Sequence, residues 1–184
     1  MTETKLKNKA VFFDRDGVLN HLVKRGGSFY SPQRFEDFHI IDDAIEVVDC
    51  VRKMGYLAIV ISNQPDISRG KLKQSELDKM TQLLTDKTNI DDIFYCTHDD
   101  SNQCNCRKPA PGLFIMAQRK YNIDFDKSFM IGDTWKDVAA AENADIPTIL
   151  LDRRYNQTLN GIKRINNLKE SILLIDPGSF HEKS

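Results

Sequence analysis

Ala10-Val11-Phe12-Phe13-Asp14-Arg15-Asp16-Gly17 sets four apolar residues directly against a pair of carboxylates. The apolar run is short, continuous and bounded by a turn signal, so it reads as a strand buried on both faces. Residues two apart in extended backbone point to the same side, which brings Asp14 and Asp16 together at the end of that strand. Two carboxylates so close cannot both ionise cheaply unless a cation or a proton intervenes. One can bind metal and attack while the other stays protonated and serves as an acid. A solvated Asp turn with a structural Gly is the competing reading of these residues alone.

Short apolar runs alternate with helical patterns along the rest of the chain. Ala44, Ile45, Val47, Val48, Val51 and Met54 recur at helical spacing, and Gly55 is a stop signal. Leu57 to Ile61 reads as a second buried strand. Leu77, Met80, Leu83 and Leu84 mark a helix with Ser75 as its N-cap. Ile93 to Tyr95 is a short strand, and Pro111 opens a helix carrying Leu113, Met116, Ala117 and Tyr121 on one face. Phe129 to Ile131 is a strand ended by Gly132-Asp133. A helix over 134–142 follows, with Trp135 packed and Asn143 as a left-handed C-cap, then a strand over 148–151. This alternation implies an α/β, Rossmann-like three-layer sandwich with a central parallel sheet. Residues 155–184 are weakly patterned and read as a peripheral helix or strand with a frayed tail. Without repeats or linkers, residues 1–184 form one domain with its core at about 10–152.

Ligands of such sheets bind beyond the carboxyl ends of the strands. The polar residues at those ends are Asp14 and Asp16, Ser62 and Asn63, the Cys/His stretch with Lys108, and Asp133. In that stretch Cys96 and His98 are followed, after five residues, by Cys104 and Cys106. Three thiolates and one imidazole are a tetrahedral zinc set that leaves no position open for a catalytic water, so the zinc is expected to be structural. Buried or redox-active thiols are the alternative. Cys50 lies within a helical pattern and reads as a core thiol.

The composition narrows the partners. Hydrophobic residues make up 40%, charged residues 29%, and the formal net charge is −1. No basic surplus points to nucleic acid, and the lysines at 5, 7 and 9 read as a solvated N-terminus. No apolar run approaches the roughly 20 residues that span a bilayer, and the polar N-terminus lacks a signal-peptide core. The expectations are a cytoplasmic protein, a monomer, with no membrane or nucleic-acid partner.

Four ordered motifs resemble the haloacid dehalogenase superfamily: Asp14-Arg15-Asp16-Gly17-Val18-Leu19-Asn20, Ser62-Asn63-Gln64, Cys104-Asn105-Cys106-Arg107-Lys108-Pro109, and Gly132-Asp133 with Asp137. Within it they are similar to the branch of histidinol-phosphate phosphatases and D-glycero-D-manno-heptose-1,7-bisphosphate phosphatases. The resemblance implies a phosphatase acting through an aspartyl-phosphate on a phosphorylated small molecule. It implies Asp14 as nucleophile and Mg²⁺ ligand, and Asp16 as acid, then base, with its backbone carbonyl on the metal. Ser62 and Lys108 would hold the phosphoryl group, Asn63, Arg107 and Arg69 would serve the substrate, and Asp133 would complete the Mg²⁺ shell. Asp137 reads equally as support for the metal shell or as a helix cap. Arg69 reads also as a loop anchor, and Lys24 and Arg25 as solvated charges rather than receivers of a second phosphate. Thr134 stands where some relatives carry a substrate-touching Lys. The branch implies a flap over 17–39 in place of a large cap domain, and a zinc loop over 96–106 that delivers Arg107 and Lys108. The loop Ser62–Gly70 resembles the heptose-bisphosphate enzymes, with Pro65-Asp66 where relatives have Ser-Gly. The five-residue gap in the zinc loop resembles the histidinol-phosphate subgroup. A zinc-stabilised binding module on an inactive scaffold is the non-enzyme alternative.

Overall fold

Alternate side chains of strand β1 (Lys9–Phe13) enter opposite hydrophobic layers. Ala10 and Phe12 join one core cluster, Val11 and Phe13 the other, and all four are fully buried. A strand buried on both faces must lie inside a sheet covered on both sides. The structure is a computed structural model and describes residues 6–177. In it β1 lies third in a six-stranded sheet, between β4 (Tyr56–Asn63) and β6 (Phe129–Gly132). Next to β4 lies β5 (Asp92–Cys96); next to β6 come β7 (Thr148–Leu151) and β8 (Lys163–Ile165), and every pairing is parallel. The chain runs outward from β1 on one side and returns to β6 on the other. The carboxyl ends of β1, β4 and β6 therefore meet at the point where the strand order reverses.

Helix α1 (Asp42–Lys53) buries Ala44, Val47, Val48 and Val51, and α2 (Gln74–Lys87) buries Leu77, Met80 and Leu84, all in one layer. Helices α3 (Gly112–Tyr121) and α4 (Trp135–Glu142) cover the other face through Leu113, Phe114, Ala117, Ala140 and Ala141. A two-stranded antiparallel hairpin, β2 (Val23–Arg25) and β3 (Ser28–Tyr30), forms the flap after β1. No helix among the described residues is long and apolar enough to cross a membrane.

The structure departs from the sequence-based expectations at four places. Ser75 is not the N-cap of α2: the helix starts at Gln74 with Lys73 at the cap position and no side-chain cap bond. Asn143 is right-handed at φ −66°, and the left-handed residue is Asp145 at φ 55°. Trp135 does not pack. It is 53% exposed, because the first residue of α4 faces solvent. Residues 155–177 supply both a strand and a helix where one or the other was expected: β8 is the edge strand of the main sheet, and α5 (Glu170–Ile175) packs Ile172 and Ile175 into the same core as α1. The expected frayed tail, 178–184, and His181 with it, lies outside the described residues, as does the lysine at position 5. Of the other N-terminal lysines, Lys7 is 4.0 Å from Asp124 and Lys9 lies over the Tyr56 ring.

Because β8 closes the core, trimming its buried side chain should be felt globally. Ile165→Ala is expected to lower stability by about 2–5 kcal/mol in urea denaturation; a loss below about 0.5 kcal/mol, the range of surface changes, would mean that the strand is dispensable.

Candidate active site

The end of β1 turns sharply. Gly17 has φ +89°, and a Cβ there would collide with the Asp133 carboxylate, so only glycine lets the two loops approach this closely. The turn places Asp14 and Asp16 differently from a simple side-by-side pair. Asp16 is clamped by Arg15, whose Nε and Nη2 donate to its two oxygens at 3.0 and 3.0 Å. Asn20 donates to Oδ1 at 3.0 Å and Gln64 to Oδ2 at 2.8 Å. Arg15 is fully buried, its guanidinium 5.5 Å from the Phe38 ring centre and 5.7 Å from that of Tyr95. Arg15, Asn20 and Gln64 belong to the quoted motifs, but spacing alone assigned them no role.

Asp14 faces the other way, toward the ends of β4 and β6. Lys108, 2% exposed, places its Nζ 3.0 Å from Asp14 Oδ1, donates to Ile61 O at 3.0 Å, and pairs closely with Asp137. Burial alone would push the Lys108 ammonium down, but Asp137 and Asp14 outweigh it and the net shift is upward. Lys108 therefore stays charged at any working pH. Of the two expectations for Asp137, the helix cap is seen directly, and the same side chain also holds Lys108. Its Oδ2 accepts from Thr134 N at 2.9 Å and Thr134 Oγ1 at 2.7 Å, which caps α4, while Oδ1 holds Lys108.

Asp133, 1% exposed at the end of β6, completes the group. One oxygen each of Asp14, Asp133 and Asp137 lies within 4.8 Å of the others. Burial, with Lys108 opposing, pushes Asp14 up to about 7. Burial, then Asp137 and Asp14, push Asp133 well above the usual carboxylate range against the bond from Tyr155. Asp133 Oδ1 is buried without a hydrogen-bond partner. An all-oxygen donor set with an orphaned buried carboxylate oxygen suits Mg²⁺, which takes carboxylates and retains waters. The Asp16 carboxylate is not in this group, because its oxygens are committed to Arg15, Asn20 and Gln64.

Ser62, at the end of β4, is 1% exposed and accepts from Gln64 at 3.1 Å. Asn63 uses its amide on the Lys108 backbone, donating to Lys108 O at 2.9 Å and accepting from Lys108 N at 3.0 Å. Its amide group is thus committed to the Lys108 loop, while the residue also lines the cavity in front of Asp14. Arg69 pairs with Asp66, Asp99 and Asp100, tying the 65–70 loop to the 96–106 loop as expected of an anchor. Arg107 pairs with Asp100 at 2.7 Å. Arg25 is held by Gln33 and Asp37, whereas Lys24 lines the cavity in front of Asp14. That cavity has a volume of about 820 Å³ and runs from Asp14 and Ser62 to the flap.

Cys96, His98, Cys104 and Cys106 converge next to Arg107. Their sulfur and Nδ1 atoms are 3.2–3.6 Å apart in the pairs Cys96–His98, Cys96–Cys104, His98–Cys106, Cys96–Cys106 and Cys104–Cys106. A tetrahedron of ligands about 2.3 Å from a central zinc has edges of about 3.7 Å, so the four atoms fit around one ion. Gly112, at the start of α3, packs against Asn105 so tightly that a Cβ would overlap the Asn105 backbone, which holds the loop to the domain.

A parallel sheet with a carboxylate–lysine cluster at its switch point and a hairpin flap defines a haloacid dehalogenase-like fold. The family model of HAD-hydrolase-like proteins matches residues 105–156. A D-glycero-beta-D-manno-heptose-1,7-bisphosphate 7-phosphatase of Helicobacter pylori is 34% identical over 172 residues, covering 90% of this chain and 95% of that protein. An enzyme of the same name from Pasteurella multocida is 35% identical over 176 residues, covering 89% and 92%. The crystal structure of D,D-heptose 1,7-bisphosphate phosphatase from B. bronchiseptica, complexed with magnesium and phosphate, superposes with a TM-score of 0.76 at 22% identity, covering 91% and 97%. The chain belongs to the haloacid dehalogenase-like phosphatases, in the branch of these heptose-bisphosphate enzymes, and is a phosphoric monoester hydrolase. The alternative of an inactive binding module falls with that assignment.

Two measurements follow from the geometry. A carboxyl that titrates higher folded than unfolded favours the folded state at low pH and loses that advantage as pH climbs through about 7. In Mg²⁺-free buffer the melting temperature of the wild type should therefore fall relative to Asp14→Asn between the ordinary carboxylate range and neutrality; parallel curves would contradict it. Metal analysis should find about one zinc per chain in the wild type and much less in Cys106→Ser. Equal zinc in both would count against the cluster.

Proposed function

We propose that the chain is a single-domain D-glycero-D-manno-heptose 1,7-bisphosphate 7-phosphatase that works through an aspartyl-phosphate on Asp14, with a catalytic Mg²⁺ and a structural Zn²⁺. The observation that carries this reading is the charge around Asp14. Lys108 lies 3.0 Å away at the cavity floor, and Lys24, Arg69, Arg107, Lys136 and Arg154 line its walls. Arg69 and Arg107 are held by aspartates, whereas Lys24, Lys136 and Arg154 make no ion pair among the described residues. Such a wall suits a substrate with a second phosphate beyond the one being cleaved. The names of the relatives, at 34–35% identity, support the same substrate.

Asp14 attacks phosphorus in line, and the bond from phosphorus to the sugar oxygen breaks. Asp16, which must carry a proton once released from Arg15, gives that proton to the leaving oxygen. Water then attacks the aspartyl-phosphate, loses its proton to Asp16, and releases phosphate with the Asp14 carboxylate restored. Lys108 and Ser62 hold the transferring group, where positioning and charge stabilisation dominate the barrier. Asp14, the Asp16 backbone carbonyl and Asp133 would hold Mg²⁺, which when bound offsets the repulsion between carboxylate and phosphate. A carboxylate has about four lone-pair sites, and Arg15, Asn20 and Gln64 occupy those of Asp16. Its side chain must leave that clamp to reach a leaving oxygen. Zinc would pin the 96–106 loop so that Arg107 and Lys108 arrive in register.

The five residues between His98 and Cys104 favour a second reading, histidinol-phosphate phosphatase. Steady-state rates on a panel of phosphorylated metabolites separate the two. Heptose 1,7-bisphosphate should give the highest kcat/KM, in the presence of Mg²⁺. Preference for histidinol phosphate would refute the substrate assignment. Asp14→Asn should lower kcat by about 10³-fold or more; wild-type activity in that variant would refute the covalent route.

A further inference from the structure

Tyr155 is the one aromatic hydroxyl among the described residues that reaches the carboxylate cluster. It lies beyond β7 in a segment with no legible pattern. Its hydroxyl donates to Asp133 Oδ2, while Asp133 Oδ1 is buried and has no partner. The turn that carries it is stitched in place. Asn156 donates to Asp133 O at 2.9 Å and to Leu151 O at 2.8 Å, and its own oxygen accepts from Arg153 N at 3.0 Å and Arg164 at 3.1 Å. Arg153 donates to Gly17 O at 2.8 Å, joining the same turn to the loop after β1. On its outer side the Tyr155 ring leans on Phe29 of the flap, 6.3 Å between centroids.

We propose that Tyr155 is a positioning residue for the metal carboxylate: it occupies one oxygen of Asp133, fixes the plane of the group, and leaves the other oxygen free for the divalent cation. The inference rests on the metal reading of the site given above. Mg²⁺ demands near-ideal octahedral geometry, so a carboxylate free to rotate binds it less well than one already aimed. Hydrogen bonds that orient metal ligands are worth about 10–100-fold in metal affinity. A purely structural tyrosine would affect folding and leave the affinity for metal unchanged.

The test is calorimetric titration of Mg²⁺ into the zinc-loaded, substrate-free protein, wild type against Tyr155→Phe, with melting curves in Mg²⁺-free buffer beside it. Tyr155→Phe should bind Mg²⁺ about tenfold more weakly. Its kcat at saturating Mg²⁺ should stay close to wild type, with the loss confined to the Mg²⁺ concentration needed for half-maximal rate. Affinity within twofold of wild type in Tyr155→Phe overturns the proposal. Should that variant not fold, Tyr155→Leu also lacks the hydroxyl and carries the same expectation. A wild-type chain that binds no Mg²⁺ overturns the metal reading and this proposal together; tight binding by wild type and variant alike overturns this proposal alone.

Discussion

An uncompensated buried charge governs this site. Asp14, Asp133 and Asp137 are gathered within 4.8 Å and face one ammonium, Lys108. Asp16 is already neutralised by the buried Arg15 guanidinium. With all three carboxylates ionised, the cluster carries two negative charges more than its lysine offsets, and burying such an excess is costly. Without metal the protein answers by holding protons, which is why burial drives Asp14 up to about 7 and Asp133 well above its usual range. On the metal reading proposed above, a divalent cation would remove the excess and free Asp14 to act as a carboxylate. In the proposed mechanism, metal binding and activation of Asp14 would then be one electrostatic event.

The rest of the fold places these groups. Strands β1 and β6 end at the same level, which brings Asp14 against Asp133. Lys108 comes from a loop with no regular structure, so it must be held from several sides. Asn63 grips its backbone, Asp137 grips its ammonium, and the cysteine–histidine loop precedes it directly. Asp137 links the lysine to the start of α4, because the oxygens that cap the helix and fix the ammonium belong to one carboxylate. Loss of any one of these anchors lets the ammonium drift from its partner Asp14.

The flap is a small hairpin, and the cavity behind it stays open toward solvent along a cationic wall. The two inner arginines on that wall are tied to aspartates of the cysteine–histidine loop and the loop after β4, so they also brace these two loops against each other. The residues on the flap and on α4 keep their charge unspent. Rigid cations near the floor and freer ones at the rim suit a substrate whose reacting phosphate must be placed accurately and whose distal end needs only charge.

Periodicity and motif order alone made legible the parallel sheet, the strand ends that carry chemistry, the cysteine–histidine cluster and the convergence of Asp14, Lys108 and Asp133 at one sheet edge. These are properties of short stretches: apolar runs, helical spacing and ligands a few residues apart. Only the tertiary structure decided that Asn63 serves the lysine loop, that Asp16 is clamped, that Trp135 faces solvent, and that the segment after 155 supplies a sheet strand and a hydroxyl to the Asp133 carboxylate. Gly17 meets Arg153 across 136 positions of sequence, and Tyr155 meets Asp133 across 22. No local pattern encodes such contacts, because they arise where loops from different strands are packed to one edge of the sheet, and their geometry exists only once the strands are aligned.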